Sequence, residues 1–455
     1  MDPDAIPRSP DALVVGAGTA GTTVARRIAR AGRKVLLCDR ATERDIGRKI
    51  CGNAVADEGL TAIQHLPEGP RGPEVAGHLE SGSLVLPDGA GSVRIPVGGI
   101  VLNRVVYGQR LLREAVDEGA VFASRCTCVG WTDRERRAVG LRVAEDRTIE
   151  VTPRLVVDAS GYASVLTRRG GPTHGFELSR ADVGIAYREI APLLEPVPDS
   201  TEARVVLSPR GARRGYAWIF PITERVANIG LGGPLESVGS GVKRAFEAYV
   251  ASEKQLATGD PIDAGAGMLP MRRPIPSLVG DGFLSVGDAG CQTSPLHGGG
   301  IVPSILAGDA AARAAVDALS SNDCSAGKLW VYNVWYMRDI GARHAAHDML
   351  RRVLFGLSDD DLSYLTVELA RAGFMMGTIR DGRLRPPIGE VLRIVGRALR
   401  RPGLTTSLLR AARLTDRIRR VHAEYPDAPG RLDSWIGQAE FLSRALEKLV
   451  PSGSA

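Results

Sequence analysis

A chain of 455 residues exceeds what one simple core serves and calls for two or three domains. With 44% hydrophobic and 24% charged residues, wholesale disorder is excluded. The net charge of +6 is modest, and with no nucleic-acid-binding module in view, no nucleic-acid partner is expected. The six cysteines (Cys38, Cys51, Cys126, Cys128, Cys291 and Cys324) are scattered, and Cys126–Cys128 falls outside zinc-pair spacing. Neither a metal nor a disulfide framework is expected, which suits a cytoplasmic setting. The opening "MDPDAIPRSP" lacks a signal-peptide pattern, and no run approaches the ~20 apolar residues of a spanning helix.

In chain order, Leu13–Val15 reads as a short apolar strand, followed by Gly16, Gly18 and Gly21 as G-x-G-x-x-G and a helical run to about Ala31. A second strand, Val35 to Leu37, leads to Asp39. Strand, glycines, helix, strand and acid at this spacing form a dinucleotide-binding fingerprint. The first glycine permits the turn, the second admits a pyrophosphate, and the third lets helix pack on strand. The helix N-terminus offers unpaired N–H groups to phosphate. Asp39 suits a free ribose 2′-hydroxyl, hence FAD or NAD over NADP, although Arg40 beside it suits a 2′-phosphate.

Residues 70–100 are Gly/Pro-rich and strand-like, and "VLNRVVYGQRLLREAVDEGA" is a strand end with an amphipathic helix. "RLVVDASGYASVLTRR" places another strand at Leu155–Val157, ending in Asp158. From Gly171 to about Pro270, alternating runs predict an antiparallel sheet. Strand Leu284–Val286, a loop and a long helix follow, and the tail beyond about 326 reads as helical. Within the sheet region "GYAWIFP" sets Tyr216, Trp218 and Phe220 at alternate positions, one stripe on one strand face. By spacing alone that stripe is an ordinary core face.

At "VGDAG…GGGI" the chain resembles FAD-dependent oxidoreductases of the p-hydroxybenzoate-hydroxylase fold. Within them, "RKICGN" and "GYAWIFPITERVANIGLGG", with Gly230 and Gly232, resemble the geranylgeranyl reductases, above all the archaeal digeranylgeranylglycerophospholipid reductases. The likeness spans about residues 11–320. It implies an α/β fold, α+β overall: a discontinuous Rossmann-like FAD-binding domain (1–75, 101–170, 272–325) and an antiparallel-sheet substrate domain (76–100, 171–271), to which the residues of the tail add a helical C-terminal region (326–455). It implies FAD contacts at Gly16, Gly18, Ala20, Gly21, Asp39, Cys51, Gly52, Arg104, Cys128, Asp288, Gly300 and Ile301. It places the catalytic surface at Tyr216, Trp218, Phe220 and Cys51, the aromatic stripe lining a lipid cavity beside the flavin. Thr19 stands where Pro is common, Asp39 where Glu is common, and "CGNA", with Asn53, replaces a glycine-richer turn.

The implied reaction saturates isoprenoid C=C bonds of a prenylated lipid with hydride from reduced flavin. An isolated alkene has no carbonyl to polarise it, so positive charge builds on its more substituted carbon and aromatic faces stabilise it. Cys51 either shapes the pocket or relays a proton. His297 in "SPLHGGG" is read as a hydrogen-bonded loop residue before a relay, and Pro295 as shaping the flavin face. No second G-x-G-x-x-G appears, which leaves ferredoxin or NAD(P)H as electron donor. The basic tail, with Leu392, Val395 and Leu399, then Leu414, Ile418 and Val421 at helical spacing, reads equally as a peripheral membrane-surface helix pair or as a packed helix with a solvated face. Competing readings are a flavin monooxygenase or halogenase, a reductase of menaquinone side chains or geranylgeranyl diphosphate, and a prenyl-binding escort protein without flavin turnover.

Overall fold

Short apolar runs without polar alternation build strands buried on both faces, and three of them seed the first sheet. Ala12–Val15, Val35–Cys38 and Leu155–Asp158 are buried at every residue. The computed structural model describes residues 3–168, 176–253, 256, 259–371, 375–381 and 401–448. The sheet runs Val279–Gly280, Phe283–Ser285, Leu155–Asp158, Ala12–Val15, Val35–Cys38, Val121–Ala123, parallel throughout except its first pair. Helices Thr19–Arg30 and Ile301–Ser320 cover one face, close enough that a Cβ on Gly308 would sit 3.0 Å from Thr23. The other face packs Leu13, Val15 and Leu36 against Val139, Leu141 and Ile149 of a three-stranded antiparallel sheet, Thr127–Asp133, Ala138–Ala144 and Arg147–Val151. That small sheet was not legible in the sequence, where "DRERR" breaks its alternation.

The second large sheet has seven strands, in the order Asp263–Pro270, Val183–Pro192, Val226–Pro234, Tyr216–Thr223, Glu202–Leu207, Ser81–Val85, Ser92–Ile95. Neighbours are antiparallel except Glu202–Leu207 with Ser81–Val85, which run parallel. The predicted alternation holds along Tyr216–Thr223. Ala217 and Ile219 enter the core under helix Val242–Ser252, and Tyr216, Trp218 and Phe220 take the opposite face.

The tail is helical as expected: Ala326–Tyr336, Ala342–Phe355, Asp359–Arg371, Met375–Asp381, Pro402–Ala423 and Leu432–Glu447. Leu392, Val395 and Leu399 lie outside the described residues. Leu414, Ile418 and Val421 turn inward onto Ala345 and Met349, with Ile418 fully buried, so this apolar stripe is core and not a membrane face. Among the described residues no helix is long and apolar enough to cross a membrane.

Asp348, fully buried, fastens this helical region to the rest. It meets Arg351 at 2.9 Å, Arg273 at 3.3 Å and Arg352 at 3.4 Å, while Asp182 and Glu447 also pair with Arg352. Burial alone would raise the Asp348 carboxyl, but Arg352, Arg351 and Arg273 hold it far below the usual range. Asp348→Ala would strand buried guanidinium groups and is expected to cost about 3–5 kcal/mol in chemical denaturation.

Two buried imidazoles act in a different pH window. His422 is pushed by burial from 6.5 to about 3, and His344 is pushed well below 6.5, first by burial and then by His347. The unfolded chain therefore binds more protons than the folded one below about pH 6.5, so this part of the stability is complete above that pH and drains as pH falls toward 3. Asp348 adds its loss only below its unfolded value of 3.8. Denaturation midpoints should decline from about pH 6.5 downward, and His422→Gln should flatten the slope between pH 6 and 4.

Candidate active site

The glycine loop forms where three strand ends of the first sheet come together. Gly16 has φ +105°, and a Cβ there would lie 2.3 Å from the Ala159 carbonyl oxygen. A Cβ on Gly21 would lie 1.8 Å from the Gly16 oxygen, so loop and helix close on each other without side chains. Gly18 caps helix Thr19–Arg30 with no side-chain partner for the first amides, and Ala20 and Gly21 fill its first turn. Asp39 follows the second strand, its two oxygens accepting from the Ala17 and Ala41 amides, both at 2.8 Å. Each oxygen keeps a lone pair for a ribose hydroxyl. Arg40 is exposed.

Two cations converge on this helix end. Arg104 opens helix Arg104–Asp117 behind the Asn103 cap and donates to Thr19 Oγ1 at 3.2 Å. Its Nε and Nη1 are buried with no hydrogen-bond partner among the described residues. Lys49 reaches the same place, its Nζ 3.8 Å from where a Gly18 Cβ would sit. Across from them Asp288 lies in the turn Gly287–Gly290, bonded to the Thr293 hydroxyl. Burial lifts its carboxyl above the usual range, against the opposing pull of that hydroxyl, Lys49 and Arg104. Gly300 caps helix Ile301–Ser320, again without a side chain over the amides, and Ile301 is its first residue. Two open helix N-termini, two cations and buried unpaired donors form a cradle for a diphosphate, and the residues present fit a flavin dinucleotide.

The aromatic stripe depends on its neighbouring strand. Trp218 pairs across the ladder with Gly230, and a Cβ on Gly230 would lie 2.0 Å from Trp218 Cζ2. The indole therefore lies down on bare backbone. Its Nε1 donates to Asn228 Oδ1 at 3.0 Å, and Asn228 Nδ2 donates to the Cys51 carbonyl at 2.9 Å. Gly52 rests on the stripe, since a Cβ there would lie 2.7 Å from Phe220. At the other end Tyr216 donates to the His297 carbonyl at 2.9 Å, and burial pushes its hydroxyl up to about 12. His297 Nδ1 accepts from Gly299 at 3.2 Å, which matches a loop-shaping role. Gly298, with φ +71°, sits under the Tyr216 hydroxyl.

The Cys51 turn is clamped from below. Arg188, 2% exposed, donates to the Lys49 carbonyl at 3.0 Å and to Asp263 at 2.6 Å, and Asp263 also takes Arg48 Nε at 2.9 Å. Gly265 and Gly267 leave a slot for Ile50, whose atoms lie 2.7 and 3.0 Å from their absent Cβ positions. Asn53 closes the turn at φ +62°, a conformation Asn tolerates; its amide donates to Cys51 Sγ at 3.3 Å, and its buried Oδ1 has no partner among the described residues.

The structure thus gathers Gly16, Gly18, Ala20, Gly21, Asp39, Arg104, Asp288, Gly300 and Ile301 at one end and Cys51, Gly52, Tyr216, Trp218 and Phe220 at the other. Cys128 is different: its side chain packs in the apolar cluster with Cys38 and Cys126. Lys49 and Asn228 were missed in the sequence. Their only signals were a cation two residues before the cysteine and a lone amide in an otherwise apolar strand.

The geranylgeranyl reductase catalytic domain family matches residues 182–269, which spans the glycine, aromatic and Asp263–Pro270 strands. Over 451 residues the chain is 30% identical to a digeranylgeranylglycerophospholipid reductase of Sulfolobus acidocaldarius, covering 96% of this chain and 98% of that one. The chain belongs to the geranylgeranyl reductase family. A geranylgeranyl bacteriochlorophyll reductase-like protein from Thermoplasma acidophilum superposes with a TM-score of 0.73 at 22% identity, covering 89% of this chain and 99% of that one. A flavin-dependent brominase shares the fold at a TM-score of 0.60 and 15% identity, covering 96% and 100%. As in other family members, the chain is an enzyme of the flavin-dependent oxidoreductase type, and the fold is one that halogenating enzymes share.

The Gly230 contact is testable directly. Gly230→Ala should destabilise the protein by about 1–3 kcal/mol through overpacking and shift tryptophan fluorescence, because the indole must leave Asn228. A spectrum identical to the unsubstituted protein would show that the ring does not rest on this backbone.

Proposed function

We propose that the protein is an FAD-dependent reductase that hydrogenates the C=C bonds of geranylgeranyl chains on a glycerophospholipid. The observation that carries this is the aromatic stripe laid on Gly230, with the Cys51–Gly52 turn held across it. Relatives of the chain, from Sulfolobus acidocaldarius and Methanopyrus kandleri, are digeranylgeranylglycerophospholipid reductases. FAD is supported over a smaller flavin by the Asp39 carboxylate beside the glycine loop, and by Lys49 and Arg104 at the start of helix Thr19–Arg30. In this reading residues 1–75, 101–170 and 272–325 hold FAD and 76–100 and 171–271 hold lipid.

Reduced flavin supplies hydride; everything else is asked of the protein. An alkene that accepts a proton becomes electron-poor at its more substituted carbon. The faces of Tyr216 and Trp218, 5.9 Å apart, stand where that charge develops, in a setting where a cation–π contact is worth about 2 kcal/mol. Trp218 is not free to rotate away, because Asn228 fixes its edge. Tyr216 is held by His297 and keeps its proton at neutral pH. Phe220, 6.5 Å from Trp218, extends the wall along which an isoprenoid chain lies. Cys51 lies beside Tyr216 at this wall. The electrons arrive from ferredoxin or NAD(P)H.

The decisive experiment is anaerobic. The flavin-loaded protein is reduced with dithionite, mixed with a geranylgeranylated phospholipid, and the lipid is weighed by mass spectrometry. Stepwise gains of hydrogen pairs are expected. Unchanged lipid, together with oxygen-dependent conversion of candidate substrates in air, would move the protein to the monooxygenase or halogenase class. Mass gain on menaquinone or geranylgeranyl diphosphate alone would keep the chemistry and change the substrate. Trp218→Ala should retain its flavin spectrum and lose turnover by roughly tenfold to a hundredfold, and full turnover would end the role given to the indole.

A further inference from the structure

Helix Pro402–Ala423 has an unusual balance of charge: Arg410, Arg413, Arg417, Arg419 and Arg420 against Asp416. Its inward face is settled. Ala411, Ala412, Thr415 and Ile418 are buried, with Ala411 and Ile418 packed on Ala345, Met349 and Val353 of helix Ala342–Phe355 and on Ala439 and Leu442 of helix Leu432–Glu447. The outward face carries Arg410, Arg413, Arg417 and Arg420, all exposed, at spacings of three, four and three. That spacing is one stripe about 15 Å long.

Other arginines in this region are neutralised: Arg338 by Asp427, Arg352 by Glu447, Arg401 by Asp361. Among the described residues none of the four stripe arginines has a carboxylate within ion-pair distance, and Arg420 spends its Nε on the Asp416 carbonyl. Exposed apolar groups flank them. Leu409 is 60% exposed at one end and Phe441 is 63% exposed in a groove of ≈ 670 Å³ that it shares with Arg417, Arg420, Val421 and a single carboxylate, Glu424. Guanidinium groups interleaved with an exposed aromatic and an exposed leucine, on a helix lying flat on the protein, match the headgroup layer of a membrane: charges at phosphate depth, Phe and Leu at acyl depth.

We propose that the Arg410–Arg413–Arg417–Arg420 stripe, with Leu409 and Phe441, docks the protein on an anionic phospholipid bilayer. The proposal deepens the lipid-reductase reading and rests on it for its purpose, since the chains to be reduced are embedded in such a surface. The stripe is one helix away from the reaction centre. Helix Ala342–Phe355, against which it packs, carries His347, whose Nδ1 meets Ser294 Oγ at 3.0 Å in the loop that leads to His297 and Gly300.

The test is sedimentation with phosphatidylcholine vesicles with and without phosphatidylglycerol. The protein is expected to bind the anionic vesicles, not the neutral ones, and to leave them as salt is raised. Each arginine near an anionic surface contributes about 1 kcal/mol, so the quadruple variant R410Q/R413Q/R417Q/R420Q should partition roughly 100- to 1000-fold less. The matching quadruple lysine variant should bind, which separates lost charge from lost folding. Phe441→Ser should weaken binding while leaving its salt dependence. Equal partitioning of unsubstituted and glutamine forms, no preference for anionic vesicles, or binding only to an acidic protein would each overturn the proposal. Turnover separates the two readings. On detergent-dispersed lipid the glutamine variant should match the unsubstituted protein and fall behind only on vesicles. An inactive but vesicle-bound protein would sink the reductase reading and leave the docking surface standing.

Discussion

The site depends on an atom that is absent. With a Cβ at Gly230 the Trp218 indole has no place to lie, because the Cζ2 edge already occupies that volume. With the indole flat on the strand, its N–H meets Asn228, and the other end of that amide holds the Cys51 carbonyl. A residue of the seven-stranded sheet thereby holds a turn of the N-terminal segment. The same turn is gripped by Arg188 through the Lys49 carbonyl, and by the slot that Gly265 and Gly267 leave for Ile50. From this turn the Lys49 side chain reaches toward Gly18. Gly230, Gly265 and Gly267, one amide and one buried arginine thus fix the Lys49–Cys51 turn against the aromatic stripe.

Electrostatics divides this site into two ends. At the dinucleotide end, two helix N-termini and two cations face a carboxyl that burial has made reluctant to ionise. An incoming diphosphate meets positive potential there without having to displace a strong internal ion pair, and the bare donors of Arg104 are the sign of it. At the aromatic end the surface is apolar or aromatic, and its polar atoms (the indole N–H, the Asn228 amide, the tyrosine hydroxyl) are already bonded to protein. Bonded groups do not compete for water, so this surface favours a hydrocarbon chain. It still offers the negative faces of its rings to a transient cation.

Much of this was legible because it rests on local rules. Gly16, Gly18, Gly21 and Asp39 announce themselves by spacing, and the alternation of Tyr216, Trp218 and Phe220 gives their common face. Spacing could not say what that face rests on; the answer lay in Gly230 on the next strand, once the register paired Trp218 with Gly230. Asn228 and Lys49 escaped because their roles depend on contacts 177 and 31 residues away, Asn228 with Cys51 and Lys49 with Gly18. The antiparallel sheet Thr127–Val151 escaped for another reason, since its strands are joined by charged turns that break the alternation and bury one face. Leu414, Ile418 and Val421 were read correctly as an apolar helical stripe, but periodicity does not name the partner, and the partner is the protein's own helix Ala342–Phe355.

That last correction changes how the C-terminal region connects to the chemistry. A stripe turned inward leaves the opposite, arginine-bearing face outward, and it makes the helix rigid with respect to what lies beneath. Beneath it, Asp348 draws three guanidinium groups from two segments into one buried cluster, with Asp182 bridging from the seven-stranded sheet. Such a cluster gains little net stability, because desolvation offsets most of the attraction, yet it tolerates few alternative arrangements. Its effect is geometric. The outer helix, the histidine-bearing helix and the seven-stranded sheet hold one fixed relation. Under the proposed reading that relation matters, since a substrate anchored in a surface has to reach the aromatic stripe at a set height above it.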